Sequence, residues 1–252
     1  MTPMRIHEIW SKGGAVINGW LHIPHSYSAE VISHVGFDSV TCDMQHGLVD
    51  YASAIGMLTA ISTTATTPMV RVPALDAGLI GRVLDAGALG VICPMINSAT
   101  EAEKLVDACR YAPLGSRSFG PNRAVFLGSD YVQAANQMVV QFAMIETQQA
   151  LDNLDSILSV DGLQGIYVGP ADLSMSLGYA PKADPTDAPI IEALEHVVRR
   201  ARDKGVIAGI HTGSAAGARK MIGKGYQFVS LPNDRIMLET MARKMLGEVR
   251  AE

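Results

Sequence analysis

The sequence has few of the residues that mark secreted and nucleic-acid-binding proteins. Its three cysteines, Cys42, Cys93 and Cys109, cannot all pair, and no Cys-x-x-Cys motif is present. This scarcity favours a reducing cytoplasm over secretion. Charged residues make up only 18% of the chain, with 20 basic against 25 acidic side chains and no basic run. Nucleic acid is therefore not an expected partner, because its binding requires clustered positive charge.

The sequence also lacks a segment suited to a membrane. The longest uncharged stretch, residues 51–70, contains five threonines, two serines and a proline, and the N-terminal MTPMRIHEIW has no apolar core of a signal peptide. Apolar residues are plentiful, at 48% of 252 residues, so a sizeable core is expected and disorder is excluded. No linker or composition shift divides the chain, and we predict one domain over residues 1–252.

Short β-branched runs alternate with helical patterns along the chain. The runs cover residues 15–21, 39–43, 69–72, 90–94, 139–145, 165–168, 206–210 and 226–231, and a last helix runs from about Asn233 to the end. This alternation predicts an α/β fold, the (β/α)₈ TIM barrel with parallel strands. An open doubly wound sheet is the alternative, but its glycine-rich GxGxxG turn is absent after the first run. Ser28 is expected to cap the second helix, and residues 112–129 to form a long loop.

Polar residues follow the predicted strands, whose C-terminal ends meet at one face of a barrel. They are Trp20, His22, Asp43, Gln45, His46, Arg71, Glu146, Asp172, His211, Asn233 and Asp234. Glu146 and Asp172 follow neighbouring strands, which lie about 5 Å apart. Two such carboxylates with open positions suit Mg²⁺ or Mn²⁺. Alternatively, each of them only caps a helix.

Three further residues have both a functional and a structural interpretation. A buried guanidinium at Arg71 requires either a substrate oxyanion or a structural carboxylate. His46 is a candidate general base, although a histidine at a strand end is as often simply hydrogen-bonded. Asp85 ends a helix, where its charge opposes the helix dipole, so it needs a partner such as a histidine.

Six motifs together resemble the HpcH/HpaI aldolase family, the metal-dependent class II pyruvate aldolases, which include the 4-hydroxy-2-oxoheptanedioate and 2-dehydro-3-deoxyglucarate aldolases. The motifs are Asp43-Met44-Gln45-His46-Gly47, Val70-Arg71-Val72-Pro73, Leu84-Asp85-Ala86-Gly87, Cys93-Pro94-Met95, Ile145-Glu146-Thr147 and Val168-Gly169-Pro170-Ala171-Asp172-Leu173-Ser174. The resemblance covers nearly the whole chain. It implies a TIM barrel whose last helix is exchanged between subunits of a homohexamer, a trimer of dimers.

The resemblance also implies an activity, the reversible cleavage of 4-hydroxy-2-oxo acids to pyruvate and an aldehyde through a metal-stabilised enolate. The implied roles are divalent-metal ligands for Glu146 and Asp172, keto-oxygen binding for Arg71, a catalytic dyad for His46 and Asp85, and carboxylate binding by the amides of Ala171 and Asp172. We also assign Trp20 to the substrate site. None of the strand ends carries a lysine for a Schiff base, which separates this interpretation from class I aldolases.

Two positions depart from the family pattern: Gln45 replaces a usual Glu, and Met144 a frequent Gln. Two other functions stay open, a CoA-dependent lyase of the citrate or malyl-CoA type and a non-catalytic keto-acid sensor. The first needs a nucleotide-binding surface, for which only the loop Arg117–Arg123 is basic. The second would not require a catalytic dyad. Finally, Arg123 is predicted to reach the aldehyde portion over a barrel mouth, either that of its own chain or that of a neighbouring subunit. Alternatively, its loop is solvated surface.

Overall fold

The computed structural model describes residues 5–251, and its eight strands form a closed parallel barrel in chain order. The strands are β1 (Val16–Leu21), β2 (Ser39–Asp43), β3 (Thr67–Arg71), β4 (Gly90–Cys93), β5 (Val140–Ile145), β6 (Gly165–Val168), β7 (Ile207–His211) and β8 (Phe228–Ser230). β1 closes the barrel by pairing with β8. The predicted TIM barrel is therefore confirmed.

Helices surround the barrel and connect consecutive strands. They are α1 (Arg5–Ser11), α2 (Ser26–His34), α3 (Tyr51–Ile61), α4 (Ala77–Asp85), α5 (Ala99–Cys109), α6 (Tyr131–Met138), α7 (Gln148–Asp152), α8 (Leu154–Ile157), α9 (Pro170–Ser176), α10 (Ala188–Asp203), α11 (Ala215–Gly223) and α12 (Asp234–Arg250). The long loop predicted over residues 112–129 is irregular except for a short 3-10 helix, Ala124–Leu127.

Some element boundaries differ from the sequence-based prediction. β3 begins at Thr67, two residues early, because Pro68 sits inside the strand and still accepts a hydrogen bond from the Leu89 amide at 2.8 Å. A proline is usually a reason to start a strand later, since it cannot donate to the ladder. The predicted cap Ser28 is wrong: α2 begins at Ser26, and the His25 side chain accepts from the Tyr27 amide.

The core has two layers, one between strands and helices and one inside the barrel. Aromatic side chains dominate the inner layer, where the rings of Phe142 and Phe228 lie 4.7 Å apart. Helix α1, which the sequence did not indicate, closes the N-terminal end of the barrel with Trp10, whose Nε1 donates to the Gln227 carbonyl. Among residues 5–251, no helix is long and apolar enough to cross a membrane.

Candidate active site

A cavity of about 170 Å³ opens at the C-terminal ends of the strands. Its lining includes Trp20, His22, His46, Arg71, Met144, Tyr167, Ala171, Asp172 and His211. Five of the eight residues that the sequence assigns to the site lie on this wall, namely Trp20, His46, Arg71, Ala171 and Asp172. They lie at or after the ends of β1, β2, β3 and β6, and the barrel brings them together because parallel strands end at one face.

Asp43, at the end of β2, organises one side of the cavity. Its carboxylate accepts two hydrogen bonds from Arg71, from Nε at 2.8 Å and from Nη2 at 2.5 Å. Trp20 Nε1 donates to it at 3.1 Å, and His22 Nε2 lies 2.7 Å from Oδ2. The sequence left two possible partners for Arg71, a substrate oxyanion or a structural carboxylate, and Asp43 is the structural carboxylate. A substrate oxyanion is a further contact that this geometry leaves room for.

The charge of Asp43 is stabilised by these contacts. Burial alone would raise the pKa of this carboxyl, but hydrogen bonds from His22 and Arg71, the Arg71 charge and the Trp20 hydrogen bond hold the pKa well below its usual range. A carboxylate with several donors is the expected form under such conditions. Sequence reasoning placed Asp43 at a strand end but gave it no role, because its partners are 23 and 28 residues away.

Glu146 lies beside the cavity, directly after β5, and is almost fully buried. Its Oε1 accepts a hydrogen bond from the Met95 amide at 2.8 Å. Met95 has a left-handed backbone with a φ of 56°, which is uncommon for a residue with a side chain. The Cys93-Pro94-Met95 motif thus follows β4 with a turn that delivers an amide to this carboxylate.

The second oxygen of Glu146 faces the start of α9. A Cβ at Gly169 would lie only 2.8 Å from Glu146 Oε2, so any larger residue would crowd this oxygen. Burial raises the pKa of Glu146, and the nearby charge of Asp172 raises it further, against the lowering effect of the Met95 amide and of Arg71. Two carboxylates that repel each other in a confined space are stabilised by a cation between them.

The donor set of this pair suits a hard divalent cation such as Mg²⁺ or Mn²⁺, which prefers oxygen ligands and keeps several waters. Within residues 5–251, no group of three or more His, Cys, Asp or Glu side chains is placed to hold an ion. Glu146 and Asp172 would therefore form a two-ligand site, completed by water and substrate. The carboxylates of Glu146 and Asp172 thus fit the divalent cation that the sequence predicts.

His46 and Asp85 are held in different places within one chain. His46 is exposed at the cavity, with its backbone amide 3.3 Å from Asp43 Oδ1. The Asp85 carboxylate instead accepts from Arg117 Nη2 at 2.7 Å, in a separate cleft of about 440 Å³. In the described part of the chain no hydrogen bond joins Asp85 to His46, and their dyad stays a prediction. Asp85 was expected to need a partner because its charge opposes the helix dipole. Within the chain, this partner is Arg117.

Arg123 is also held outside the cavity of its own chain. Its backbone amide donates to the Asp85 carbonyl, and its guanidinium donates to the Ala86 carbonyl and the Ser62 hydroxyl. The guanidinium thereby caps the end of α4, where carbonyls lack intrahelical partners, and contacts the end of α3 through the Ser62 hydroxyl. Contact between Arg123 and an aldehyde stays a prediction that concerns a neighbouring subunit's barrel mouth.

The remaining sequence candidates occupy the edge of the cavity. The amides of Ala171 and Asp172 belong to the first turn of α9, where N–H groups lack intrahelical acceptors and are free for an anion. Met144 is buried in the cavity wall, and Gln45 Oε1 is buried with no hydrogen-bond partner in the described residues. Met144, one of the two departures from the family pattern, therefore lies in the cavity wall, and Gln45 directly precedes His46 of that wall.

Sequence reasoning assigned no function to His22, Tyr167 and His211, which also line the cavity. The Trp20 ring stacks on Tyr167 with centroids 5.7 Å apart, and it meets the His211 ring edge-on at 5.1 Å. The position of His22 and His211 at strand ends was the signal in the sequence. This position alone could not show that His22 contacts Asp43 and that His211 contacts Tyr167.

Known proteins resemble this chain over almost its full length. The family model described as HpcH/HpaI aldolase/citrate lyase matches residues 18–238. A hydroxypyruvate/pyruvate aldolase of Rhizorhabdus wittichii is 41% identical over 98% of this chain and 99% of that protein. A 2-keto-3-deoxy-L-rhamnonate aldolase of Klebsiella pneumoniae is 37% identical over 92% and 87%.

The fold leads to the same group of proteins. A crystal structure of a HpcH/HpaI aldolase/citrate lyase family protein from Burkholderia cenocepacia superposes with a TM-score of 0.90, at 29% identity over 98% of each chain. The six sequence motifs, the closed barrel and the cavity at its C-terminal face agree with these matches. The chain belongs to the HpcH/HpaI aldolase/citrate lyase family.

Proposed function

We propose that this protein is a carbon–carbon lyase that reversibly cleaves 4-hydroxy-2-oxo acids to a short 2-oxo acid, pyruvate or hydroxypyruvate, and an aldehyde. The observation that carries the proposal is the convergence of Arg71, His46 and the carboxylates of Glu146 and Asp172 around one cavity. The relatives named as pyruvate and hydroxypyruvate aldolases support the reaction class and the two acids.

Glu146 and Asp172 would hold the divalent cation. When bound, this ion supplies Lewis-acid polarisation of the substrate carboxylate and 2-oxo oxygen. The Met95 amide fixes Glu146 Oε1, so the other oxygen is left for the ion. The first-turn amides of Ala171 and Asp172 would bind the substrate carboxylate, as helix N-termini bind anions.

Arg71 would stabilise the charge that develops on the 2-oxo oxygen. Asp43 holds its Nε and Nη2, while Nη1 forms no hydrogen bond to the described residues. The guanidinium also lies over the Trp20 ring, 4.9 Å from the centroid. Donors fixed in advance are effective because they need no reorganisation during the reaction. Trp20 would help to hold Arg71 in place. Because Trp20 also lines the cavity, it would contact the substrate as well.

His46 would act as the general base in cleavage. It would take the proton of the C4 hydroxyl as the C3–C4 bond breaks, and it would return this proton in synthesis. The bonding electrons remain on C3, and C4 becomes the aldehyde carbon. Asp85 would orient His46. Within the chain, the Asp85 carboxylate pairs with Arg117 and not with His46.

A pyruvate-release assay tests the proposed function directly. Purified protein with added Mg²⁺ or Mn²⁺ is offered a panel of 4-hydroxy-2-oxo acids, and the released 2-oxo acid is followed with a coupled dehydrogenase. We expect turnover of at least one member of the panel. No turnover of the panel together with cleavage of a 3-hydroxyacyl-CoA thioester such as malyl-CoA would favour the citrate or malyl-CoA lyase, and binding without any turnover would favour the sensor.

His46→Ala is expected to lower the kcat of cleavage by about 10²- to 10⁴-fold, the usual effect of losing a general base. Pyruvate binding, measured by calorimetry, should survive because Arg71 and the two carboxylates remain. His34→Ala is the matched control, since His34 is exposed on α2, outside the cavity. Cleavage by His46→Ala near the wild-type rate would make His46 structural.

The last helix supports a homo-oligomer. Apart from Asp234, no residue of α12 is buried, although the helix carries large apolar side chains. These are Ile236, Leu238, Met241, Met245, Leu246 and Val249, of which Leu238 is 65% and Val249 84% exposed. A contiguous apolar surface of this kind normally contacts another chain. We therefore keep the exchanged helix and the hexamer, a trimer of dimers, as part of the proposal.

Met241→Glu combined with Met245→Glu is expected to break this assembly into smaller species, because each change places a charge in an apolar interface. Sedimentation velocity measures the change directly. Lys244→Glu is the control on the same helix, at an exposed and already charged position. A wild-type protein that sediments as a single chain would refute the hexamer.

The free cysteines agree with a reducing compartment and with the cytoplasm that we propose for the protein. All three are buried, and no disulfide joins them. Burial raises the pKa of the Cys109 thiol to about 12, against the lowering effect of Arg117 and Arg110. A thiol in this form reacts slowly, and we assign no catalytic role to it.

A further inference from the structure

His211 ends β7 and forms part of the cavity wall, where its ring meets Trp20 edge-on. Its Nδ1 lies 3.2 Å from the Tyr167 hydroxyl. Tyr167 in turn donates to the Ser230 hydroxyl at 2.8 Å, and Ser230 also accepts from Asn18 Nδ2 at 2.9 Å. This buried chain of hydrogen bonds reaches through the barrel interior and ends at the His211 ring.

The chain of hydrogen bonds selects one tautomer of His211. We assign the Tyr167 hydroxyl proton to the shorter of its two contacts, that with Ser230 at 2.8 Å, so the Tyr167 oxygen is the acceptor in its 3.2 Å contact with His211. The proton of a neutral His211 then sits on Nδ1, and Nε2 carries a lone pair. Which ring nitrogen bears the proton is generally set by the partner of the other one. Nε2 has no hydrogen-bond partner among the described residues and is not sealed from solvent.

The neutral form is favoured by the surroundings. Burial and the nearby positive charge of Arg71 together lower the pKa of His211 to about 4, against the raising effect of Asp43. At neutral pH the imidazole is thus an uncharged hydrogen-bond acceptor and a weak base. Such a group is poorly suited to remove a proton from carbon or oxygen, but it accepts a hydrogen bond from a hydroxyl group.

We propose that His211 Nε2 accepts a hydrogen bond from a hydroxyl group of the substrate and thereby selects hydroxylated substrates over their deoxy analogues. The inference rests on the proposed aldolase function and goes beyond it by assigning a specificity residue. The hydroxyl belongs either to the 2-oxo acid, as in hydroxypyruvate, or to the aldehyde, as in glyceraldehyde. Met144 and Trp20, which share the cavity, offer that hydroxyl no acceptor of comparable strength.

Two substitutions separate the two nitrogens of the ring. His211→Asn keeps a polar group near the position of Nδ1, where it can meet Tyr167, but removes the acceptor at Nε2. His211→Gln extends an amide toward the position of Nε2 and restores an acceptor. We would measure kcat/KM for hydroxypyruvate against pyruvate with propanal as the aldehyde, and for glyceraldehyde against propanal with pyruvate. Dissociation constants of the two 2-oxo acids are measured by calorimetry.

His211→Asn is expected to lower the hydroxylated-to-deoxy ratio of kcat/KM by roughly 3- to 10-fold in one arm, the usual value of one neutral hydrogen bond. His211→Gln should retain most of the wild-type ratio. The arm that changes identifies the hydroxyl. Equal losses for hydroxylated and deoxy substrates, or unchanged ratios in both arms, would overturn the proposal.

The binding measurements distinguish a failure of the role proposed for His211 from a failure of the proposed aldolase function. If wild type binds the 2-oxo acids without turnover, the proposed function fails. In that case the binding preferences for hydroxypyruvate over pyruvate and for glyceraldehyde over propanal are compared between wild type and His211→Asn. A lower preference for either hydroxylated ligand supports the role of His211, and unchanged preferences in both pairs refute it. Failure of wild type to bind either acid would refute both proposals.

Discussion

Removal of divalent cations with EDTA is expected to abolish aldol cleavage, and added Mg²⁺ or Mn²⁺ is expected to restore it. Glu146 and Asp172 are the carboxylates beside the cavity whose charges interact, and no third His, Cys, Asp or Glu joins them within residues 5–251. Glu146→Gln removes one charged ligand of two while it preserves shape. A loss on the order of 10³-fold in kcat/KM is expected, because a Lewis acid contributes several kcal/mol to transition-state stabilisation.

The matched control is Glu103→Gln, a change of the same kind at an exposed position of α5. It should leave both activity and its dependence on added metal unchanged. Metal binding is measured independently of turnover, by calorimetry with Mn²⁺ on both variants. Full activity in the presence of chelator would refute the class II mechanism, and tight Mn²⁺ binding by Glu146→Gln would refute the ligand assignment.

Asp43→Asn is expected to destabilise the protein and to inactivate it. The substitution leaves the buried Arg71 without its counter-charge and removes the anion that His22 and Trp20 contact. Breaking one side of a buried ion pair lowers the free energy of unfolding by about 3–5 kcal/mol. Urea unfolding measures this loss, and kcat/KM is measured at a temperature where the variant stays folded.

A double variant separates the two effects of Asp43. In Asp43→Asn with Arg71→Met no uncompensated charge remains buried, so much of the lost stability should return. Activity should stay low, because the donor to the 2-oxo oxygen is gone. Recovery of activity in the double variant would show that Arg71 does not contact the substrate.

The same carboxylate predicts how stability depends on pH. The folded state lowers the pKa of Asp43, so its contribution is fully present above the unfolded-state value of about 3.9. This contribution is lost as the pH falls below that value toward the folded-state pKa. The difference in unfolding free energy between wild type and Asp43→Asn should therefore be constant near neutral pH and shrink below about pH 4. A constant difference down to acid pH would contradict the assignment.

The sequence by itself determined the barrel and the face that carries the site. Its β-branched runs and intervening helical patterns depend on neighbours in the chain, and the observed strands β2 and β6 agree with the predicted runs at both ends. Seven of the eight residues assigned to the site follow from strand ends and motifs in the same local way, and Arg123 follows from the polar loop that carries it. Helix α1 was missed because a short helix is stabilised mainly by tertiary packing, such as that of buried Ile6.

Only the tertiary structure decided which side chains face each other. Asp43 meets Arg71 across 28 positions of sequence, the Met95 amide meets Glu146 across 51, and the hydroxyl of Tyr167 meets His211 across 44. These contacts depend on strand register and barrel closure, which no local pattern specifies. The same closure pairs Asp85 with Arg117 and places His46 elsewhere. A residue's type indicates the chemistry it can perform, but its partner sets its charge and orientation, and the partner is chosen by the fold.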